Sequence, residues 1–267
     1  MGFPVLATPN VNLDADVERV RAASPELLVV VAFGQLLRKP VREVPRLGCL
    51  NLHFSLLPRW RGAAPVQRAI LAGDHETGAC VQRLVAKLDA GAVLAEAREP
   101  ILPADDSPTL RGRLVNCGAP LLRSVVTQLL AGEVLAATEQ DESQITLAPR
   151  IDVAEGHLDP VAETATELDR RIRALDEWPG CRVVLRRAAA DELPLLVRGA
   201  EPVADSEVES SATAGEVVRA DSGGLVIATR SGALRITHLQ KQGKQTLSVH
   251  DFLNGCPVAP GDRVVAP

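Results

Sequence analysis

The sequence predicts an α/β domain on a mostly parallel sheet, followed by a small β-barrel. Leu27 to Phe33 is an unbroken branched, apolar run ending at Gly34, the form of a strand buried on both faces, and such strands belong to parallel sheets. A helix starting near Asp14, with Val17 and Val20 inward, precedes it, and Cys49 to Phe54 supplies the next strand, giving a βαβ rhythm. Beyond Trp178-Pro179-Gly180 come short alternating runs, Gly215 to Val218, Leu225 to Ala228 and Ala233 to Leu239, separated by glycine pairs and acidic turns, as in a small barrel.

The elements between these follow in order. Pro65 suits the first position of a helix with Val66, Ala69 and Ile70 inward, stopped by Gly73. Gly78 to Leu84 and Ala92 to Ala97 read as two strands joined by a loop containing Asp89. Ser107-Pro108 opens a long helical pattern with Leu110, Leu114, Leu121, Val125 and Leu129 inward, which Gly118 and Pro120 are expected to break or kink before Gly132. Thr164-Ala165-Thr166-Glu167 forms a capping box ahead of Leu168, Ile172 and Leu175 at helical spacing. Glu201 to Ser211 carries four acids and little apolar content and is expected to be a mobile surface loop. The organisation expected is residues 1–132 as the first domain, 133–178 as a linker with one helix, and 179–267 as the barrel.

Composition narrows the function classes. A chain of 267 residues that is 46% hydrophobic has enough material for two domains with cores. Five cysteines stand singly, without a CxxC pair or clustered histidines, so neither a disulfide frame nor a zinc site is indicated and a reducing cytoplasm fits. No apolar stretch approaches the roughly 20 residues of a membrane span, and there is no secretory pattern at the start. Aromatic residues are 2% of the chain and tyrosine is absent, which argues against base stacking as a way of holding nucleic acid.

The chemistry concentrates in NLHFSLLPRWRGAAPVQ, starting at Asn51, and in Leu88-Asp89-Ala90-Gly91. Alternation sends Asn51 and His53 to one face of a strand ending near Ser55, and Leu56-Leu57-Pro58 must then leave the sheet. An amide, an imidazole and the Asp89 carboxylate can meet at the sheet's rim, which reads as an acyl-transfer site. Each has a plainer alternative: Asn51 as a strand-end hydrogen bonder, His53 as a satisfied core histidine, Asp89 as a turn residue. There is no GxSxG elbow and no Cys/His nucleophile signature, so no covalent enzyme intermediate is indicated.

NLHFSLLPRWRGAAPVQRAILAGD, the ETG of Glu76 to Gly78 and the LDAG of Leu88 to Gly91 resemble the methionyl-tRNA formyltransferase family; RRIRALDEWPG at Arg170 to Gly180 and LQKQGKQTLSVHDFLNG at Leu239 to Gly255 are similar to its second half, in the expected order. The resemblance covers essentially the whole chain. It implies a Rossmann-like formyltransferase domain and an OB-like carboxyl-terminal barrel that binds tRNA. It also implies 10-formyltetrahydrofolate as formyl donor, methionyl-initiator tRNA as acceptor, and neither a metal nor an obligate protein partner. Asn51, His53 and Asp89 take the catalytic positions, and Ser55, Leu56, Leu57 and Pro58 the folate-contacting turn. Asn51 and His53 are expected to donate hydrogen bonds to the oxyanion, with Asp89 holding His53 and helping to carry a proton. The family's usual first strand, helix and second strand lie ahead of Gly2-Phe3-Pro4-Val5-Leu6 and are not in this sequence, so the domain is expected to be amino-terminally truncated, with a non-catalytic remnant that binds RNA or protein, or a formyltransferase for another amine, as alternatives.

Charge sets a condition on tRNA binding. Residues 151 to 267 hold 13 Lys and Arg against 18 Asp and Glu, a net −5, so the barrel needs a local basic patch. The candidates for phosphate contact are Arg170, Arg171, Arg173, Arg186, Arg187, Lys241 and Lys244. Of these the Lys241-Gln242-Gly243-Lys244 segment suits a loop presenting cations, and a solvated helix face is the plainer account of the first three. Asp159-Pro160 stands where the family has an acid followed by tryptophan.

Overall fold

The computed structural model describes residues 4–187, 192–204 and 212–267. The chain runs through α1 (Asp14–Ala22), β1 (Leu28–Val31), α2 (Lys39–Arg42), β2 (Cys49–His53), β3 (Arg61–Gly62), α3 (Pro65–Ala72), β4 (Glu76–Arg83), β5 (Val93–Pro100), α4 (Ser107–Leu130) and β6 (Leu147–Ala148). It continues through α5 (Ala165–Leu175), β7 (Cys181–Arg186), β8 (Glu192–Val203), β9 (Val217–Asp221), β10 (Gly224–Ala228), β11 (Ala233–Lys241), β12 (Thr246–Ser248), α6 (Val249–Gly255) and β13 (Arg263–Val265). Two compact units result. One gathers the chain up to Pro65, His75–Ile101 and Arg111–Arg150; the other gathers Val66–Asp74, Leu102–Leu110 and Ile151–Pro267.

The first unit is an α/β arrangement on a four-stranded sheet of order β1-β2-β4-β5, with β3 and β6 as a separate parallel pair. Among the described residues the expected mostly parallel sheet is mixed: β1 and β2 are parallel, while β2/β4 and β4/β5 are antiparallel. For β4 and β5 the reason is local. The β4–β5 connection is a loop without a helix, so the two strands pair as neighbours of opposite direction. β1 also departs from its expected burial on both faces, since Val29 and Val31 are 40% and 44% exposed. Leu28 and Val30, the alternate residues, pack on Val11, Val17, Leu37 and Val41 of the α1/α2 side.

The other face of the sheet carries the larger core. Leu50 and Leu52 of β2 and Ala79 and Val81 of β4 pack with Val125 and Leu129 of α4, each aliphatic side chain contributing about 1.5–3 kcal/mol when fully buried. The break expected at Gly118 and Pro120 does not occur, and α4 runs through both. Gly118 is needed for close approach: a Cβ there would sit 3.2 Å from both Ala79 and Leu52. Pro120 is exposed, so its missing N–H falls on the solvated side of the helix.

The second unit is a seven-stranded antiparallel sheet of order β13-β7-β8-β11-β10-β9, with β12 on β11. It rolls up: Val264 N–H donates to Gly215, and Val217 N–H to Asp262, so the chain before β9 meets the chain at β13. All five residues of β10 are buried, so both faces of this strand are covered, with α6 packing against β10 and β9. α5 packs against β7, β8 and β11 rather than standing in a separate linker. It is amphipathic, burying Leu168, Ile172 and Leu175, and its capping box is present, Thr164 accepting from Glu167 N–H while the Glu167 carboxylate accepts from Thr164 N–H. Of the acidic loop expected at Glu201 to Ser211, Glu201 to Val203 complete β8, and residues 205–211 lie outside the described residues.

Candidate active site

Strand alternation makes the site. Because Leu50 and Leu52 face α4, Asn51 and His53 turn to the opposite face, and the antiparallel register Asn51↔Gln82, His53↔Cys80 sets Gln82 beside Asn51. Asp89 arrives on the β4–β5 loop in a left-handed conformation, φ 45°, which aspartate tolerates better than most residues. Gly91 lets that loop close, since a Cβ there would lie 1.7 Å from the Arg83 carbonyl.

The expected triad meets. Asn51 Nδ2 donates to Asp89 Oδ1 at 3.0 Å, and His53 Nδ1 lies 3.8 Å from Asp89 Oδ2. Two contacts not anticipated from sequence complete the carboxylate: Gln82 Nε2 donates to Oδ1 at 3.0 Å and Gly62 N–H to Oδ2 at 3.0 Å. Gly62 also explains its own residue type, at φ 133° with room for no Cβ beside the Ala148 carbonyl of β6. His53 Nε2 is 2.8 Å from the Trp60 carbonyl, and a carbonyl only accepts, so Nε2 carries the hydrogen. The ring of the buried His53 thus has one nitrogen on the Trp60 carbonyl and the other 3.8 Å from the Asp89 carboxylate.

The same face borders a cavity of about 420 Å³, within the usual size of a small-molecule site. Phe33, Leu36 and Leu37 form one apolar wall and Leu84, Val85 and Leu88 another, with Asn51, His53, Gln82 and Asp89 among the polar lining. Ser55, Leu56, Leu57 and Pro58 do not border it. Ser55 is fully buried and its hydroxyl donates to Arg59 at 2.6 Å, Leu56 packs over Gly78, and Leu57-Pro58 is a cis peptide. The turn instead delivers Trp60 at φ 63°, its N–H held by Thr146 Oγ1 at 2.9 Å, so that its carbonyl meets His53. The apolar walls were missed because Phe33 reads as the end of a strand, Leu36 and Leu37 belong to no expected element, and Val85 to Leu88 fall in a loop.

Burial pushes the thiol of Cys80, next to His53 across the strands, up to about 11, so it is protonated at neutral pH and offers no nucleophile. Among the described residues no three His, Cys, Asp or Glu side chains are grouped so as to hold a metal ion.

The arginines expected at tRNA are mostly engaged elsewhere. Arg171 pairs with Glu163 and donates to the carbonyls of Glu155 and His157; Arg173 pairs with Asp169 at 2.8 Å and donates to the Asp105 carbonyl at 2.7 Å. The Arg170 guanidinium lies over Gly73. Arg186 pairs with Glu192 and Arg187 donates to the Pro257 carbonyl. Helix α5 brings its arginines to acids and carbonyls of its own unit because its capping box and buried stripe fix which way it faces. Lys244 is exposed at the tip of the β11–β12 turn, where Gly243 adopts φ 70°, and the Lys241 ammonium sits 5.5 Å over the Phe252 ring.

The chain has counterparts among known proteins. Residues 7–126 match the family described as Formyl transferase, and residues 150–257 match Formyl transferase, C-terminal domain. The chain belongs to the formyltransferase family. Within that family its relatives are methionyl-tRNA formyltransferases: that of Halorhodospira halophila is 41% identical over 249 residues, covering 93% of this chain and 77% of its own length. That of Dechloromonas aromatica is 41% identical over 255 residues, covering 95% and 78%. Among solved structures, HypX from Aquifex aeolicus in complex with tetrahydrofolic acid is similar with a TM-score of 0.65 at 20% identity, over 89% of this chain and 40% of that one. WlaRD, a sugar 3N-formyl transferase crystallised with dTDP and 5-N-formyl-THF, is similar with a TM-score of 0.59 at 16% identity, over 84% and 77%. These structural likenesses show a shared fold.

Proposed function

We propose that this chain transfers the formyl group of 10-formyltetrahydrofolate to the α-amino group of methionyl-initiator tRNA, with Asn51, His53 and Asp89 as its catalytic residues. The observation that carries the reading is the convergence of Asn51 and His53 on one carboxylate at the floor of a cavity walled by apolar side chains.

An α-amino group, with a pKa of about 7.7–8.0, is partly neutral at cellular pH and attacks the formyl carbon. Asn51 keeps one amide hydrogen on Asp89 and has the second to donate to the oxyanion that forms, a contact contributing about 3–4 kcal/mol to the transition state. Asp89 accepts three N–H donors, which leaves one lone-pair direction of its carboxylate, toward His53 Nδ1. His53 and Asp89 together provide the place where the proton lost by the amine waits before it reaches the departing folate nitrogen, so the products are the formamide and the N–H form of the carrier.

The walls from Phe33 to Leu37 and from Leu84 to Leu88 suit a flat pteridine ring better than the Ser55–Pro58 turn does, because they border the cavity and the turn does not. On the barrel, Lys244 and Lys241 are the cations best presented to tRNA phosphates. The reaction fits the cytoplasm, and among the described residues no helix is long and apolar enough to cross a membrane.

The test is direct. The purified chain, 10-formyltetrahydrofolate and methionylated initiator tRNA should give formyl-methionyl ester detectable by mass spectrometry, at a rate that Asp89→Ala abolishes. No product from a folded, folate-binding wild-type chain would overturn the reading.

A further inference from the structure

We propose that Gln82 is a positioning residue for Asp89, and that Gln140 and the buried guanidinium of Arg61 brace it in the one orientation that works. The inference rests on the formyltransferase reading above and assigns its carboxylate a support.

The brace has a single direction. Arg61, 2% exposed, only donates: its Nε to Gln140 Oε1 at 2.9 Å and its Nη2 to Glu142 Oε1 at 2.9 Å. With its oxygen claimed, Gln140 presents its nitrogen to the carbonyls of Gly91 at 2.7 Å and Asp89 at 2.9 Å, and lies 3.4 Å from Gln82 Oε1. Gln82, 1% exposed, therefore has its oxygen toward Gln140 and its nitrogen on Asp89 Oδ1 at 3.0 Å. A donor-only group stands at one end and a carboxylate at the other, so flipping either amide sets donor against donor or acceptor against acceptor.

Gln140 does two jobs with one amide. It holds the Asp89 and Gly91 carbonyls, which follow the left-handed Asp89 backbone, and it orients the side chain that grips the Asp89 carboxylate. Asn51 shares Oδ1 with Gln82, so the direction of the carboxylate also sets the direction of the Asn51 amide. Turning the carboxylate moves the oxyanion donor with it.

The test uses Gln82→Met, which keeps length and removes the donor, and Gln82→Glu, assayed for formylation of methionyl-initiator tRNA between pH 5.5 and 9, with 5-formyltetrahydrofolate affinity measured alongside. The charged and titratable groups around this amide are Asp89 and His53 in the site, Cys80 on the same face of β4, and Arg61, Glu142 and Lys87 along the brace. Gln82→Met is expected to lower kcat on the order of 10- to 100-fold with folate affinity within about threefold of wild type. Gln82→Glu is expected to be slower still at neutral pH, where carboxylate faces carboxylate, and to regain turnover as the pH falls and the introduced acid, once protonated, donates again; Gln82→Met shows no such recovery. Wild-type kcat in Gln82→Met, or a flat low-pH response in Gln82→Glu, overturns the brace. An inactive wild type overturns the formyltransferase reading instead; the brace is then judged by the Asn51 side-chain amide resonances, which must shift in Gln82→Met and whose constancy would overturn it.

Discussion

The two units of this chain put their buried polar groups and their strained backbone to different uses. In the first, His53, Ser55, Arg61, Thr77 and Gln82 are buried, and all four non-glycine residues with left-handed backbone among the described residues, Ser24, Ala32, Trp60 and Asp89, occur there. In the second, the strand β10 is buried along its whole length, and the buried polar side chains Asp105, Ser107, Thr229 and Asp262 hydrogen-bond backbone groups of nearby turns and of the α5 carboxyl-terminal end. Left-handed backbone at a bulky residue such as Trp60 costs on the order of 1–3 kcal/mol and persists where surrounding structure enforces it. The contrast teaches where to look for chemistry: the barrel uses its interior for stability, and the α/β unit gives part of its own to holding one carboxylate.

The largest effects should separate the two uses. Ile227→Ala in the barrel should cost about 2–5 kcal/mol in urea unfolding, while Val29→Ala on the exposed face of β1 should cost under about 1 kcal/mol. Equal losses at the two positions would erase the contrast. Asn51→Ala should do the reverse, lowering turnover about 10²–10³-fold with little change in folate affinity. A drop of less than tenfold in single-turnover assays would remove Asn51 from the oxyanion.

Smaller effects sharpen the picture. Glu155 is held below the usual carboxylate range chiefly by its hydrogen bond from Arg68, against the opposing effect of burial. A depressed carboxylate contributes stability above its unfolded value of 4.5 and loses it as pH falls through the lower folded value, so the unfolding midpoint of the wild type should fall more steeply below pH 4.5 than that of Glu155→Gln. Parallel curves would show that the Arg68 pair adds nothing. Smallest of all should be the response to thiol reagents. Burial holds Cys80 at about 11 and Cys181 at about 12, so iodoacetamide at pH 8 should label neither in the native protein, and rapid labelling of Cys80 would show that the sheet opens next to His53.

Several parts of this architecture were legible in the residues. The Thr164–Glu167 box, the Pro65–Gly73 helix and the Asn51/His53 face follow from local rules of capping, proline placement and alternation, and the structure has each of them. The mixed direction of the sheet was not legible, because an apolar run shows burial without showing the direction of its neighbour. Nor was the fate of Arg171 and Arg173, whose acids and carbonyls are fixed by how α5 docks on its unit.

By itself the sequence determined which face of their strand Asn51 and His53 occupy, since that depends on neighbours a few positions away. Tertiary structure decided what surrounds the carboxylate. Gln82 reaches Gln140 across 58 residues and Gln140 reaches Arg61 across 79, and contacts of that span depend on strand register and loop packing, which periodicity within a segment does not encode.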